Sequence, residues 1–270
     1  MKKLFPLLRW AAWLLAGYAL VLGALYWRQE VLLFRPHKLA ADHVFQLPSD
    51  IEERWIEVEG GRINALHLKL PQPDGVVFYL HGNGGSLQSW FTNPDFYRRL
   101  NLDLYMIDYR GYGKSPGQIS SEAQLMADVR ASWQAVAPRY AGKKRVFFGR
   151  SLGTGPAAQL AAELQPELTV LVSPYFSMRR LAREHYPWVP GPVLRYPLRT
   201  DLALPKIEGP VLIVHGEDDT LIPAAHSRDL QPLARRPTLV IVPGAGHNDL
   251  QRFAPYTDAL AAALTAAPGR

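Results

Sequence analysis

The stretch RVFFGRSLGTGPAAQLA (145–161) decides the fold of this 270-residue chain. It begins as an apolar run of strand length, passes through GRSLG (149–153) and continues as an alanine-rich helix. The pattern G-x-S-x-G at a strand-to-helix turn exposes a serine hydroxyl, because its glycines allow a tight and strained backbone. The same turn brings the Leu152 amide to a helix N-terminus, where it can bind an oxyanion. The stretch therefore predicts Ser151 as a nucleophile at a sheet edge.

Strands and helices alternate on both sides of this stretch. Continuous apolar runs, which are typical of strands buried on both faces, occupy 76–80, 104–107, 145–148, 168–172, 211–214 and 238–242. Helical spacing occupies 122–136, 151–164, 223–233 and 250–264. Two segments of alternating polarity, 54–58 and 63–70, flank a Gly60-Gly61 turn and predict an antiparallel edge. The whole predicts an α/β fold with a mostly parallel sheet flanked by helices.

One segment, from about 174 to 205, breaks this alternation. It is rich in Pro, Arg and aromatic residues and lies between two predicted strands. Its aromatic residues are Tyr175, Phe176, Tyr186, Trp188 and Tyr196. An insertion of this length predicts a short cap over the carboxyl edge of the sheet.

The N-terminus predicts a membrane anchor. No charged residue occurs from Trp10 to Trp27, and aromatic residues stand at both ends of that run, as in a helix that crosses a bilayer. A cleaved signal peptide would need a small-x-small site, whereas this run ends in Leu25-Tyr26-Trp27. The alternative is a core helix of the domain. We expect an anchor at 1–30, membrane contact through 10–27 and a catalytic domain at 31–270.

The charges that flank the apolar run bear on its orientation. Lys2, Lys3 and Arg9 precede it, which favours a cytoplasmic N-terminus and places the domain outside. The expectation is a single-pass protein of the bacterial inner membrane with a periplasmic domain.

Composition excludes several classes of function. The net charge of +6 comes from scattered basic residues without a dense block, so we expect no nucleic-acid partner. The chain has no cysteine, which excludes disulfides, thiolate metal sites and a thiolate nucleophile.

A serine nucleophile needs a base and an acid to orient it. His247 lies in a glycine-rich loop after the last strand and is the candidate base, whereas His81 and His215 directly follow strands and are expected to be structural. The loop after His215 carries three acids, Glu217, Asp218 and Asp219, and the local pattern leaves the choice among them open.

A second oxyanion donor is expected in the loop HGNGG (81–85), with the Asn83 backbone amide as candidate. The phosphate-binding patterns G-x-x-x-x-G-K-[ST] and G-x-G-x-x-G do not accompany this loop.

Five segments together resemble the Bem46-like branch of the α/β-hydrolase superfamily: YLHGNGGSLQSW (79–90), IDYRGYGKSPG (107–117), GRSLGTGPAAQLA (149–161), HGEDDTLIP (215–223) and GAGHNDL (244–250). The resemblance implies an α/β-hydrolase fold and a membrane-anchored serine hydrolase without a metal or organic cofactor. It implies the catalytic residues Ser151, Asp219 and His247, with Asp218 as the alternative acid. In this setting Asp108 and Arg110 are expected to form an ion pair that ties a strand end to its loop.

The predicted reaction is hydrolysis of carboxylic esters or thioesters through an acyl-enzyme on Ser151. The anchor and the apolar cap point to small-molecule or lipid-like acyl substrates. An amidase or peptidase on the same fold is one alternative, and a non-catalytic membrane-tethered binding protein is another.

Overall fold

An eight-stranded sheet is the centre of the computed structural model, which describes residues 4–269. Its strands are β1 (Ile51–Val58), β2 (Gly61–Leu68), β3 (Gly75–Leu80), β4 (Leu102–Ile107), β5 (Lys144–Arg150), β6 (Leu168–Val172), β7 (Val211–Gly216) and β8 (Pro237–Val242). Their spatial order is β1-β2-β4-β3-β5-β6-β7-β8. Strands β1 and β2 pair antiparallel with their neighbours and the remaining pairs are parallel. The predicted fold class, including the antiparallel edge, is confirmed.

Helices cover both faces of the sheet. They are α1 (Leu4–Leu33), α2 (Leu87–Trp90), α3 (Pro94–Arg99), α4 (Glu122–Gln134), α5 (Thr154–Leu164), α6 (Met178–His185), α7 (Thr200–Ala203), α8 (Ala225–Leu230) and α9 (Ala254–Ala266). Successive β3 side chains alternate between the two faces: Phe78 packs in the core with α4 and α5, and Tyr79 packs in the core with α3 and α9. Burial on both faces explains why the strands read as continuous apolar runs.

Two predicted helices are shorter than their periodicity indicates. The segment predicted at 223–233 is helical as α8 and then continues as a 3₁₀ turn at Gln231–Leu233, where Pro232 lacks the amide that an α-helix needs. The segment predicted at 151–164 begins with a 3₁₀ turn at Ser151–Gly153 before α5.

The segment predicted as a cap lies between β6 and β7 and contains α6 and α7. Tyr175 and Tyr196 are fully buried, whereas Tyr186 and Trp188 are exposed. Two of the five aromatic residues therefore hold the cap to the domain, two face outward, and Phe176 is half-buried.

Helix α1 projects from the domain. Its stretch Leu8–Leu33 is apolar and long enough to cross a membrane by length and composition, with a mean hydropathy of 1.5. Its middle is exposed, with Leu14 and Leu20 each 75% accessible, which is contrary to a core helix. Phe34, directly after α1, is buried against Tyr196 with ring centroids 5.1 Å apart.

The last turns of α1 are fixed to the cap by polar contacts. Gln29 Oε1 accepts from the Arg195 amide at 2.8 Å, and Gln29 Nε2 donates to the Val193 carbonyl at 3.1 Å. The Glu30 carboxylate pairs with the Arg195 guanidinium and accepts from the Tyr196 hydroxyl at 2.8 Å. These contacts hold α1 in a defined orientation relative to the cap.

Candidate active site

Ser151 stands in a strained turn at the end of β5. Its φ of +50° lies in the left-handed region, which a residue other than glycine adopts only where its surroundings impose it. The flanking glycines are required by space: a Cβ on Gly149 would lie 2.5 Å from the Gly153 carbonyl oxygen, and one on Gly153 would lie 2.0 Å from the Leu80 oxygen. The turn therefore has the geometry that the G-x-S-x-G pattern predicts.

A chain of two hydrogen bonds joins the three predicted catalytic side chains. Ser151 Oγ lies 3.0 Å from His247 Nε2, so the hydroxyl donates to the imidazole. His247 Nδ1 lies 2.7 Å from Asp219 Oδ2 and donates to it. The serine, the imidazole and the carboxylate come from three separate loops, each after a strand. This arrangement polarises the serine hydroxyl toward a base of fixed tautomer.

Asp219 is held as a carboxylate. Burial opposes its ionisation, but hydrogen bonds from His215, His247 and the Ile222 amide outweigh burial and hold the pKa of Asp219 well below its usual range. Its other oxygen, Oδ1, accepts from the amides of Leu221 and Ile222 at 2.9 and 2.8 Å. A fixed negative charge at this position orients the His247 imidazole through its Nδ1–H.

The structure distinguishes the three acids of this loop. Asp219 is buried beside His247, whereas Glu217 and Asp218 are exposed. His215 is buried and places its Nε2 2.7 Å from the Ile222 carbonyl and 3.2 Å from Asp219 Oδ2. His215 therefore supports the acid loop, in line with the structural role expected for it.

The two predicted oxyanion donors border the same cavity as Ser151. Asn83 follows Gly82, where a Cβ would lie 3.4 Å from Ser151 Cβ, so the loop passes close to the nucleophile. The Tyr175 hydroxyl donates to the Leu152 carbonyl at 2.9 Å and so fixes the backbone at Leu152. His81, expected to be structural, is buried, and its Nδ1 lies 2.7 Å from the Gly82 carbonyl.

The cavity above Ser151 and His247 has a volume of about 440 Å³. Its lining is mainly apolar, with contributions from Leu152, Met178, Leu181, Leu221 and Ile222. Leu32 and Leu33, at the end of α1, form part of its wall. No pattern in the sequence pointed to those two residues, because their role depends on where the end of α1 packs.

Charge is scarce in this cavity. The described residues that line it include a single member of the group Lys, Arg, Asp and Glu, which is Arg35. A second cavity, of about 490 Å³, lies beside it and shares Asn83, Gly84, Trp90 and Asn248 with it. Ser151 and His247 line the first cavity and not the second, so these two side chains face the mainly apolar cavity.

The expected ion pair between Asp108 and Arg110 is wrong. Arg110 instead forms a bidentate pair with Asp128 of α4, at 2.9 and 2.8 Å, and donates to the carbonyl of Glu59. Asp108 accepts from the Leu87 amide at 2.9 Å. Both residues hold loops in place, but each does so with a partner in another element.

Within residues 4–269, no group of three or more His, Cys, Asp and Glu side chains is arranged to hold a metal ion.

Comparison with protein families gives a match over residues 71–198 to the serine aminopeptidase S33 family, Hydrolase_4. The chain is 31% identical over 213 residues to human alpha/beta hydrolase domain-containing protein 17B, a match that covers 75% of this chain and 70% of the human protein. It is 38% identical over 179 residues to an uncharacterized protein of Mycobacterium tuberculosis H37Rv, covering 64% of this chain. The matched region spans 63% of the mycobacterial protein's length.

Solved structures share the fold at low sequence identity. An esterase of Pyrococcus furiosus, Pf2001, superposes with a TM-score of 0.69 at 16% identity, covering 87% of this chain and 97% of the esterase. Est1E from Butyrivibrio proteoclasticus, solved with ferulic acid bound, superposes with a TM-score of 0.64 at 20% identity, covering 78% of this chain and 96% of Est1E.

Proposed function

Because the chain belongs to the α/β-hydrolase superfamily, we propose that it is a serine hydrolase that cleaves carboxylic esters or thioesters of lipid-like or acylated substrates. The observation that carries this proposal is the continuous hydrogen-bonded chain from Ser151 through His247 to Asp219, at the floor of an apolar cavity. Such a chain is needed for acyl transfer and has no evident role in packing.

The reaction proceeds in two halves. Ser151 Oγ attacks the substrate carbonyl while His247 Nε2 takes the hydroxyl proton, and the Asn83 and Leu152 amides bind the resulting oxyanion. The tetrahedral intermediate collapses as His247 returns the proton to the leaving alcohol or thiol, which leaves an ester on Ser151. Water then attacks this ester with His247 as base, releases the acid and restores the serine.

The lining of the cavity favours an acyl group over a peptide N-terminus. Recognition of a free α-ammonium group needs a carboxylate near the nucleophile, and none of the described lining residues supplies one. Asp219 is engaged by His247 and the loop amides. The lining therefore gives an aminopeptidase less support than an esterase, and other amidases and peptidases are separated by the substrate test below.

Helix α1 is proposed as a single membrane anchor. Its apolar stretch has the required length, and the basic residues before it favour an exoplasmic domain, periplasmic in a bacterium with two membranes. A reporter fused after Arg270 tests this orientation, and activity confined to the cytoplasm would reverse it.

The test of the reaction uses the full chain in detergent micelles, because Leu32 and Leu33 belong to the cavity wall. We expect a fluorophosphonate probe to label the wild-type protein and the Ser120→Ala control, in which an exposed serine is removed, but not Ser151→Ala. Turnover of a nitrophenyl ester should fall by at least about 10³-fold in Ser151→Ala. No labelling of the folded wild type would favour the non-catalytic binding protein.

Matched ester, thioester and amide substrates with the same acyl group separate the remaining alternatives. A higher kcat/KM for the ester or thioester is expected, whereas preference for the amide would assign a peptidase or amidase. Extending the acyl chain should improve kcat/KM until the cavity is filled.

A further inference from the structure

We propose that residues 186–194, named here the cap tip, insert into the same bilayer that α1 crosses, so that the acyl cavity opens at the membrane. This inference rests on the proposed anchor and the proposed hydrolase function, and it names the membrane as the source of the substrate.

The depth of the cap tip follows from one contact with α1. The Tyr18 hydroxyl donates to the Trp188 carbonyl at 2.7 Å. A helix needs about 20 residues to cross the hydrocarbon core, so a span that begins at Leu8 extends to about Trp27, with Tyr18 near its middle. Tyr18 stands about 13 Å along the helix from Trp27. The backbone beside Tyr18 is therefore at membrane depth if α1 crosses the bilayer.

The composition of the cap tip suits this position. Its sequence, YPWVPGPVL, contains no charged residue, and Tyr186 and Trp188 are 57% and 50% accessible. The rings of Tyr186 and Trp188 are large apolar surfaces, and their transfer from water to lipid is favourable. Exposed apolar groups beside a candidate transmembrane helix thus have lipid as their natural occupant.

Most backbone amides of the cap tip are either absent or hydrogen-bonded. Prolines at 187, 190 and 192 have no amide to leave unpaired. Backbone bonds also engage the amides of Tyr186, Val189, Val193 and Leu194. Unpaired amides are costly in hydrocarbon, so this arrangement lowers the cost of insertion.

The polar contacts at the end of α1 set the limit of insertion. The polar part of the chain begins with Arg28, directly after Trp27, and the next two residues, Gln29 and Glu30, bind Val193 and Arg195. Because these contacts fix the cap against α1, the cap tip keeps its level relative to the helix. The neutralised Glu30–Arg195 pair then lies at the headgroup level.

This placement brings the catalytic cavity to the bilayer. Leu32 and Leu33 of α1 and Tyr186 of the cap tip all border the cavity above Ser151. An acyl chain can pass from the lipid into this cavity along apolar surface, without exposure to water. The substrate class is therefore an ester or thioester whose acyl chain resides in the membrane.

The chain has no cysteine, so a fluorophore attached to a single introduced cysteine reports the membrane depth of that one position. The full chain is reconstituted in phosphatidylcholine–phosphatidylglycerol vesicles whose acyl chains are brominated, with a fluorophore on Trp188→Cys, Leu20→Cys or Gln72→Cys. Leu20 marks the exposed middle of α1, and Gln72 is exposed before β3, at the opposite edge of the sheet from Ser151.

We expect bromolipid quenching of the label at Trp188 and at Leu20, and none at Gln72. Quenching at Leu20 without quenching at Trp188 would overturn the insertion of the cap tip. Its exposed aromatic residues would then be assigned to contact with a protein partner. Absence of quenching at Leu20 would overturn the anchor and the insertion together. The fluorophosphonate result is independent of both.

A kinetic comparison uses Trp188→Glu and the matched Trp188→Phe, since Trp188 does not line the cavity. A charge in the cap tip should lower turnover of a long-chain ester dissolved in vesicles, with unchanged turnover of a water-soluble short-chain ester; phenylalanine should preserve both. Equal loss on the two substrates, or no loss on either, would overturn the proposal.

Discussion

The Asn83 side-chain amide donates a hydrogen bond to the carbonyl of Leu33, the last residue of α1, over 2.7 Å. Asn83 Oδ1 in turn accepts from the Arg35 amide at 2.8 Å and from the Tyr112 hydroxyl at 2.7 Å. The carbonyls at the end of a helix lack partners within the helix, so Asn83 satisfies one of them. The loop proposed to bind the oxyanion is thereby joined to the end of the N-terminal helix.

Removal of this link should slow the chemical step. Asn83→Ala keeps the backbone amide and deletes the side-chain bonds, so we expect kcat to fall by about tenfold or more through displacement of the loop. The measurement is ester turnover together with the rate of fluorophosphonate labelling, with Gln88→Ala in α2 as the control. An unchanged kcat in Asn83→Ala would show that the loop holds its position without α1.

The identity of the acid can be tested within one loop. Asp219→Asn removes the charge that orients His247, and we expect kcat to fall by roughly 10³–10⁴-fold with little change in KM. Asp218→Asn alters an exposed neighbour and should keep nearly full activity. A larger loss in Asp218→Asn than in Asp219→Asn would reassign the acid.

The pH dependence of the free energy of unfolding should also reveal the ionisation of Asp219. Its pKa in the folded chain lies below that of an unfolded chain, about 4, so its carboxylate stabilises the fold above that value. This stabilisation is lost as the pH falls through the folded pKa. Asp219→Asn should therefore be less stable than wild type at pH 7, and the difference should narrow below pH 4 in denaturant titrations. A difference that does not vary with pH would contradict this.

The buried pair of Arg110 and Asp128 gives a prediction on stability. Asp128→Ala leaves a buried guanidinium without its carboxylate and should lower the free energy of unfolding by about 3 kcal/mol. The control is Glu163→Ala, which breaks an exposed pair with Arg130 and should cost about 0.5 kcal/mol. Denaturant unfolding measures both, and similar losses would show that burial of the pair contributes little.

Local signals in the sequence predict most of the fold and the three central residues of the site. A strand buried on both faces is a run of apolar residues, and the GRSLG turn requires glycine where Leu80 and Gly153 approach each other. Both signals lie within a few adjacent residues, so they can be read without knowledge of the tertiary structure.

Features that depend on distant contacts were not predicted. Arg110 finds Asp128 in the following helix rather than its near neighbour Asp108, because the direction of its side chain is set by the packing of α4. Helices α2 and α3 span four and six residues, too few to show a helical period. The contribution of Leu32 and Leu33 to the cavity likewise follows from docking of α1 on the cap.

The wall that Leu32 and Leu33 supply has a consequence for release of the domain by proteolysis. A protease that cut the chain directly after Leu33 would free the eight-stranded domain but remove two apolar side chains from the acyl cavity. It would also remove Gln29 and Glu30, which hold the cap through Arg195. If the chain is the proposed membrane-anchored hydrolase, the shed fragment would have an acyl cavity that is open to water on one side. Under that proposal, shedding would change substrate selectivity as well as location.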